Sequence, residues 1–187
     1  AITDFTNTDD GDDDVKYNNT GGLTIEDGFE LFIFSGETFA PAGNVILDDI
    51  DINGTFTMGA NSITVSGVWD ATGGPFTSSG AVTFDSGASE TITSKSNSFS
   101  SVTFNGAGSW QTADALDVDA NLTITAGTLD SNGQAITIGG NWANSATYTS
   151  GANTVTFDGT GTQTIDAGGT GTGVDDTTKD FNNLAIT

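Results

Sequence analysis

The sequence predicts an all-β fold built as a β-solenoid, a stack of coils like a parallel β-helix. Three observations support this prediction: a long internal repeat, short triplets of the form apolar–Thr–apolar, and turn signals of Gly, Asn and Asp between them. Apolar spacing of the helical kind does not persist anywhere, so we expect almost no helix. A β-sandwich or jelly roll with a donated strand is the alternative, because many short alternating strands also fit that architecture.

The internal repeat covers most of the chain. The stretch ITVSGVW that begins at Ile63 returns as ITIGGNW at Ile136, about 73 residues later. Trp69 and Trp142 keep the same offset, and a VTF triplet follows in both copies. A match of this length indicates duplication, and internal repeats are the signature of repeat architectures.

The domain organisation follows from the repeat. Residues 1–22 form an acidic segment that is a candidate for an exchanged strand. Residues 23–187 form a single repeat-built β domain, whose two units run over about 44–109 and 111–187.

Within each unit, triplets mark the strands. The second unit contains LTI at 122–124, ITI at 136–138, VTF at 155–157 and LAI at 184–186, and such triplets recur at roughly 14–20 residues. Because side chains alternate across a strand, the two apolar residues should point inward and the Thr between them outward. Like residues at the same place in successive coils favour the solenoid over the sandwich.

The pattern NLTI, GTLDSNG, ITIGGNW, TYTSGANTVTFDGTGTQTI and FNNLAI resembles the β-strand repeats of microbial cell-surface and secreted proteins of adhesin or filament-forming type. The resemblance covers about residues 44–187 and is weaker in the first copy, where ETI replaces QTI and FSSVTF replaces FNNLAI. It implies an extracellular structural or adhesive role and brings no catalytic residues with it.

Charge and composition narrow the choice of partners. The chain carries a net charge of −22, from 25 acidic and 3 basic residues, and it contains no His and no Cys. Nucleic acid is not expected as a partner, because phosphate binding needs clustered Lys and Arg. Membrane insertion is not expected either, because the longest apolar runs, such as LFIF, are far too short for a spanning helix. Divalent cations are more natural partners.

The sharpest candidate for a cation site is the run TDDGDDDV near the N-terminus. Asp10, Asp12 and Asp14 alternate around a Gly turn, as carboxylates do in loops that bind Ca²⁺. A closing Glu and flanking helices are missing, so a solvated acidic turn is the competing interpretation. No other cofactor is expected.

The composition argues against an enzyme. Polysaccharide-cleaving enzymes on β-helical scaffolds need a base and cationic groups, whereas this chain has no Arg or His. A strongly negative protein would also repel an acidic polymer. Asp85 and Asp158 follow the VTF triplets at equivalent positions and are more simply turn residues.

Three further kinds of surface site are candidates. Trp110 has no counterpart in the repeat and could stack on a sugar ring, whereas Trp69 and Trp142 are expected in the core. The outward Thr residues of the triplets resemble the ice-binding face of some solenoid antifreeze proteins. Sequons for N-glycosylation place candidate sites at Asn18, Asn53 and Asn121.

The two ends of the stack are the candidate subunit contacts. A stack of strands exposes unpaired backbone groups at each end. We expect the terminal strand of one subunit to complete the sheet of the next by β-augmentation. The candidate interface residues are Ile2, Phe5, Phe181, Leu184 and Ile186. Alternatively, the chain is a piece of a longer array whose neighbouring repeats cover its ends.

Together these inferences predict a secreted, extracellular structural protein at the cell surface. It would be the subunit of a self-assembling filament or stalk, with copies of itself as its main partner. An adhesin or carbohydrate-binding module, with surface glycans as partners, is the alternative from another functional class. Ice binding is the remote third alternative.

Overall fold

The computed structural model describes residues 22–168 and 178–187, which form 23 short strands and no helix. The strands, in chain order, are β1 (Leu23–Thr24), β2 (Glu30–Ile33), β3 (Thr38–Phe39), β4 (Val45–Leu47), β5 (Asp49–Ile52), β6 (Thr55–Gly59), β7 (Ile63–Val65), β8 (Trp69–Asp70), β9 (Phe76–Ser78), β10 (Ala81–Phe84), β11 (Ser89–Thr93), β12 (Ser98–Phe99), β13 (Ser101–Phe104), β14 (Ser109–Thr112), β15 (Leu116–Val118), β16 (Leu122–Ile124), β17 (Thr128–Asp130), β18 (Ile136–Ile138), β19 (Trp142–Asn144), β20 (Thr147–Thr149), β21 (Thr154–Phe157), β22 (Ile165–Asp166) and β23 (Asn183–Ile186). The all-β prediction is confirmed over these ranges. They also contain no helix that could span a membrane.

The strands stack along three faces around one core. The first sheet has the order β1-β4-β7-β10-β13-β16-β19-β22, and the second sheet has the order β2-β5-β8-β11-β14-β17-β20. The third face carries a short sheet, β3-β6-β9, and then the third sheet, β12-β15-β18-β21-β23. Every pairing between described strands is parallel. The chain is therefore a β-solenoid of about 7 turns, and the antiparallel sandwich is excluded.

One turn of the solenoid takes about twenty residues. In the first sheet Val45 pairs with Ile63, which sets a turn of 18 residues. Further along the same sheet, Val102 pairs with Leu122, which sets a turn of 20 residues. The sequence repeat of about 73 residues is not a whole number of such turns, so its two copies fall on different faces.

The two tryptophans of the repeat show this rotation. Trp69 lies on β8 in the second sheet and pairs with Ile92, whereas Trp142 lies on β19 in the first sheet and pairs with Leu122. Moving from β8 to β19 advances the chain by three full turns and two of the three faces. The structural repeat is therefore the single turn, and the long sequence repeat corresponds to three turns and two further faces.

The core consists of the inward residues of the triplets, as the alternation predicted. In β7 both Ile63 and Val65 are buried, while Thr64 between them is half-buried on the outer surface. The same pattern holds in β16 and β18. Aromatic residues stack as well: the rings of Phe84 and Phe104 on neighbouring turns lie 5.4 Å apart and are 17° from parallel. Burial of these columns is the main stabilising contribution.

Polar side chains hold the corners between successive turns. Asp114 accepts hydrogen bonds from the backbone N–H groups of Ser94 (2.9 Å) and Lys95 (2.6 Å), where Lys95 has a positive φ of 53°. The Asn141 N–H donates to the side-chain oxygen of Asn121 over 2.9 Å. Part of the acidic composition therefore stabilises the turns. At a bend the backbone N–H groups have no partner in a sheet, and a carboxylate can accept their hydrogen bonds instead.

Candidate assembly surfaces

Core positions are exposed in the last described turn of the stack. Leu184 and Ile186 on β23 pair with Val155 and Phe157, which are fully buried inward residues of β21. Residues directly opposite each other in a sheet point to the same side. Leu184 and Ile186 therefore also point inward, yet they are 48% and 73% exposed.

The first sheet shows the same feature at its last strand. Ile165 on β22 pairs with Trp142, which is completely buried, but Ile165 itself is 40% exposed. We call Ile165, Leu184 and Ile186 the core opening. A further turn of β-structure laid on this end would bury all three side chains.

Phe181 was predicted to lie in a subunit interface, but its ring packs against aromatic residues of its own chain. Its half-buried ring lies 5.1 Å from Trp142 and 5.9 Å from Tyr148, centre to centre. Phe181 thus packs within its own chain, and Leu184 and Ile186 remain the exposed members of the predicted C-terminal interface.

An exposed aromatic cluster lies at the other end of the stack. Phe32 and Phe34, which we call the Phe patch, are 40% and 66% exposed, and Phe29, just before the same strand, is 64% exposed. The rings of Phe32 and Phe34 meet edge to face with centres 4.6 Å apart. These residues were not singled out in the sequence analysis. The available signal was an aromatic residue at an outward position, since Leu31 and Ile33 take the inward positions.

Carboxylates lie beside and opposite Phe32 on the second sheet. Glu30 pairs with Asp49, and Phe32 pairs with Asp51, which in turn pairs with Asp70 on the next turn. We call Glu30, Asp49, Asp51 and Asp70 the acidic column. Loss of hydration raises the pKa of Glu30, and repulsion from Asp51, Asp49 and Asp70 adds to the effect. The pKa of Asp51 is raised by loss of hydration and by Asp70, against a hydrogen bond from Asn53.

The two described lysines donate hydrogen bonds to backbone carbonyl oxygens. Lys95 donates from Nζ to the backbone oxygen of Gly73 over 2.9 Å, and Lys179 donates to that of Ala146 over 2.7 Å.

The first sheet presents a column of threonines on its outer surface. Thr64, Thr83, Thr103 and Thr123 lie directly opposite one another on four successive strands, and we call them the Thr ladder. The column ends at Ile46 on one side and Ala143 on the other. The remaining outward threonines of the triplets are divided between faces. Thr24 lies opposite Ile46, and Thr137 lies opposite Thr156 in the third sheet.

The structure corrects the assignment of Trp110 as a sugar-stacking residue. Trp110 is only 1% exposed, and its ring lies 4.6 Å from that of Phe84 inside the core. Position in the sequence could not reveal this, because Trp110 occupies an inward position of β14 that has no counterpart in the long repeat. Trp69 and Trp142 are buried in the core as expected.

The two described sequons differ in accessibility. Asn53 is half-buried and donates from Nδ2 to Asp51 over 2.7 Å, so its amide nitrogen is engaged. Asn121 is exposed at the start of β16, where it accepts the Asn141 N–H. Asn121 is thus the more accessible of the two candidate glycosylation sites.

Several predicted sites lie outside the described residues and remain predictions. They are the cation ligands Asp10, Asp12 and Asp14, the interface residues Ile2 and Phe5, and the sequon at Asn18. Within 22–168 and 178–187, no group of three or more carboxylates is placed to hold a metal ion. Asp85 and Asp158 follow strands of different sheets, β10 and β21, so the solenoid does not bring them together as a catalytic pair.

Comparison of the chain with protein-family models, with curated proteins and with solved structures gives no match.

Proposed function

We propose that this chain is an extracellular structural protein whose copies join end to end into a filament or stalk at the cell surface. The observation that supports the proposal most strongly is the core opening. Three apolar side chains in core register are exposed together at one end of the stack. Burying an apolar side chain contributes roughly 1.5–3 kcal/mol, so a covering turn from a second copy would have a substantial driving force.

The direction of the strands suits this kind of assembly. All described pairings are parallel, and β1, β2 and β3 are the outermost strands at the other end of the three faces. A copy placed on the core opening could continue the sheets without changing direction. Contact between two different ends is heterologous, and a heterologous contact that does not close into a ring produces an open filament.

The N-terminal segment and the acidic charge complete the proposal. Residues 1–22, with Ile2 and Phe5, would supply the strand that pairs with the neighbouring copy. The net charge of −22 repels approaching copies. Salt screens this repulsion, and divalent cations can bridge carboxylates, so assembly should strengthen with both.

Electron microscopy and sedimentation of the purified full chain test this function. The double variant Leu184→Asp/Ile186→Asp should remain monomeric under salt conditions in which the parent chain forms filaments. Ile46→Asp is the matched control, because Ile46 is an exposed apolar residue that points outward. The Ile46→Asp variant should still form filaments. A parent chain that stays monodisperse in all ionic conditions, with and without Ca²⁺, would contradict the proposal.

A second candidate function, ice binding, is favoured by the Thr ladder alone. Four threonines in register repeat their hydroxyl and methyl groups at the strand spacing of about 4.8 Å, a regular array that could order water. Thermal hysteresis measures this activity directly. Thr83→Lys/Thr103→Lys should abolish it, whereas Thr137→Lys on the third sheet should not. Absence of hysteresis in the parent chain rejects this candidate.

The adhesin or carbohydrate-binding alternative has less support than it had at the level of sequence. All three tryptophans, Trp69, Trp110 and Trp142, are buried, so none of them offers a ring face to a sugar.

A further inference from the structure

End-to-end assembly does not explain why the rings of the Phe patch are exposed on the outer surface. Phe32 lies opposite Asp51 on the outer surface of the second sheet, so it does not point into the core. A copy stacked on the end of the solenoid would extend the core and leave this outer surface open. Two exposed aromatic rings in contact with each other on the outside of a solenoid are therefore a separate candidate for an interaction surface.

The carboxylates around the patch have a regular placement. Glu30 and Phe32 are two residues apart on β2 and point to the same side, at about 7 Å separation along the strand. Asp49 and Asp51 occupy the corresponding positions on β5, about 4.8 Å away across the ladder. Phe32 thus has one carboxylate beside it on its own strand and another directly opposite.

The electrostatics of this surface favour a cationic partner. The carboxylates of the acidic column lie close enough to repel one another: loss of hydration is the main cause that raises the pKa of Glu30 and Asp51, and this repulsion adds to it. A positive group would relieve the repulsion. Aromatic faces also attract cations, so the rings and the carboxylates select the same kind of ligand.

The chemistry of the surface indicates which kind of cation binds there. An inorganic ion would use the carboxylates but not the rings, and a neutral sugar would use the rings but not the charge. A Lys or Arg side chain uses both, because its aliphatic stem packs on apolar surface while its charged head reaches the carboxylates.

A second copy of this chain is a poor source of such side chains. The sequence contains 3 basic residues against 25 acidic ones. Among the described lysines, Lys95 and Lys179 already donate to backbone carbonyls.

We propose that the Phe patch and the acidic column together form a docking surface for a Lys- or Arg-bearing segment of a second, basic protein. The rings anchor the aliphatic stems, and Glu30 and Asp51 bind the charged heads.

A fluorescence anisotropy titration of the full chain tests this proposal, with a labelled oligo-lysine peptide and a labelled oligo-arginine peptide as probes. Phe32→Ala/Phe34→Ala keeps every charge and should weaken peptide binding about tenfold, the loss expected when cation–π and stem contacts worth about 1.4 kcal/mol are removed. Both rings are exposed, so the variant should keep the circular dichroism spectrum of the parent chain.

The charge arm uses a matched pair of double variants. Glu30→Gln/Asp51→Asn should weaken binding by tenfold or more. Asp85→Asn/Asp158→Asn removes the same number of charges from two other places and should change binding less than twofold.

Three outcomes would overturn the proposal. The first is a Phe32→Ala/Phe34→Ala variant that binds the peptides like the parent chain. The second is an equal loss in the two charge variants, which would show general attraction to a negative protein. The third is spermine binding as tight as peptide binding and equally sensitive to both pairs of substitutions, which would identify a small polycation as the ligand.

Discussion

Leu184 lies directly opposite Val155 in the third sheet and points to the same inner side, yet Leu184 is 48% exposed whereas Val155 is fully buried. The difference arises because another turn covers Val155 and no described turn covers Leu184. An inward apolar residue thus contributes differently to stability in the middle and at the end of the stack.

Truncation of leucines should reveal this difference. Leu122→Ala, in the middle of the first sheet, should lower the free energy of unfolding by about 2–5 kcal/mol, because it leaves a cavity in a fully buried column. Leu184→Ala should lower it by less than about half of that in the monomer, since half of the side chain is already in water. Urea unfolding at low protein concentration measures both values. Equal losses would mean that Leu184 is covered in solution.

Close approach between turns makes Gly108 intolerant of a side chain. A Cβ atom at Gly108 would collide with the backbone oxygen of Ala88 on the preceding turn. We expect Gly108→Ala to destabilise the fold by about 1–3 kcal/mol, the usual range for overpacking. Gly87→Ala is the control, because the space around Gly87 is open. A lower thermal midpoint in the first variant and little change in the second is the predicted result.

Mild acidification should stabilise the fold. Loss of hydration is the main cause that raises the pKa of Glu30, Asp51, Asp85 and Asp117 in the folded chain. The folded state therefore binds protons more tightly than the unfolded state at these groups. Stability should fall as the pH rises through their folded pKa values, and it should increase as the pH is lowered from 7 towards the ordinary carboxylate range near 4.

Thermal unfolding at a series of pH values checks this sign. The midpoint should rise as the pH is lowered from 7 towards about 4, and the rise should be smaller in Glu30→Gln/Asp51→Asn, which lacks two of the groups. A midpoint that falls steadily over this interval in the parent chain would show that carboxylates with lowered pKa values dominate instead.

Calcium binding at the N-terminal acidic run remains a prediction from the sequence. Ca²⁺ prefers several oxygen ligands on a tightly bent backbone, which Asp10, Asp12 and Asp14 around Gly11 could supply. Isothermal titration calorimetry should detect binding that disappears in Asp12→Asn/Asp14→Asn but persists in Asp85→Asn/Asp158→Asn. Equal binding in both variants would point to diffuse attraction by the net charge.

Local sequence patterns were sufficient to predict which triplet residues lie inside. Ile63 and Val65 are buried and Thr64 is not, because the alternation of a strand follows from backbone geometry within three residues. The prediction failed for Trp110, since an aromatic residue without a repeat partner looks exceptional in the sequence even when it fills an ordinary core position. The Phe patch was not predicted as an interaction surface, because its acidic surroundings include carboxylates that lie on a neighbouring turn.

By itself, the sequence determined the all-β class and the inward and outward residues of each triplet, and it favoured the solenoid over the sandwich. These properties depend on short-range periodicity and on like residues recurring along the chain. Only the tertiary structure decided which face each strand occupies. That outcome depends on the length of every turn, so Trp69 and Trp142, equivalent in sequence, lie in different sheets. The core opening and the Phe patch likewise exist only in the folded stack, because exposure depends on what the next turn covers.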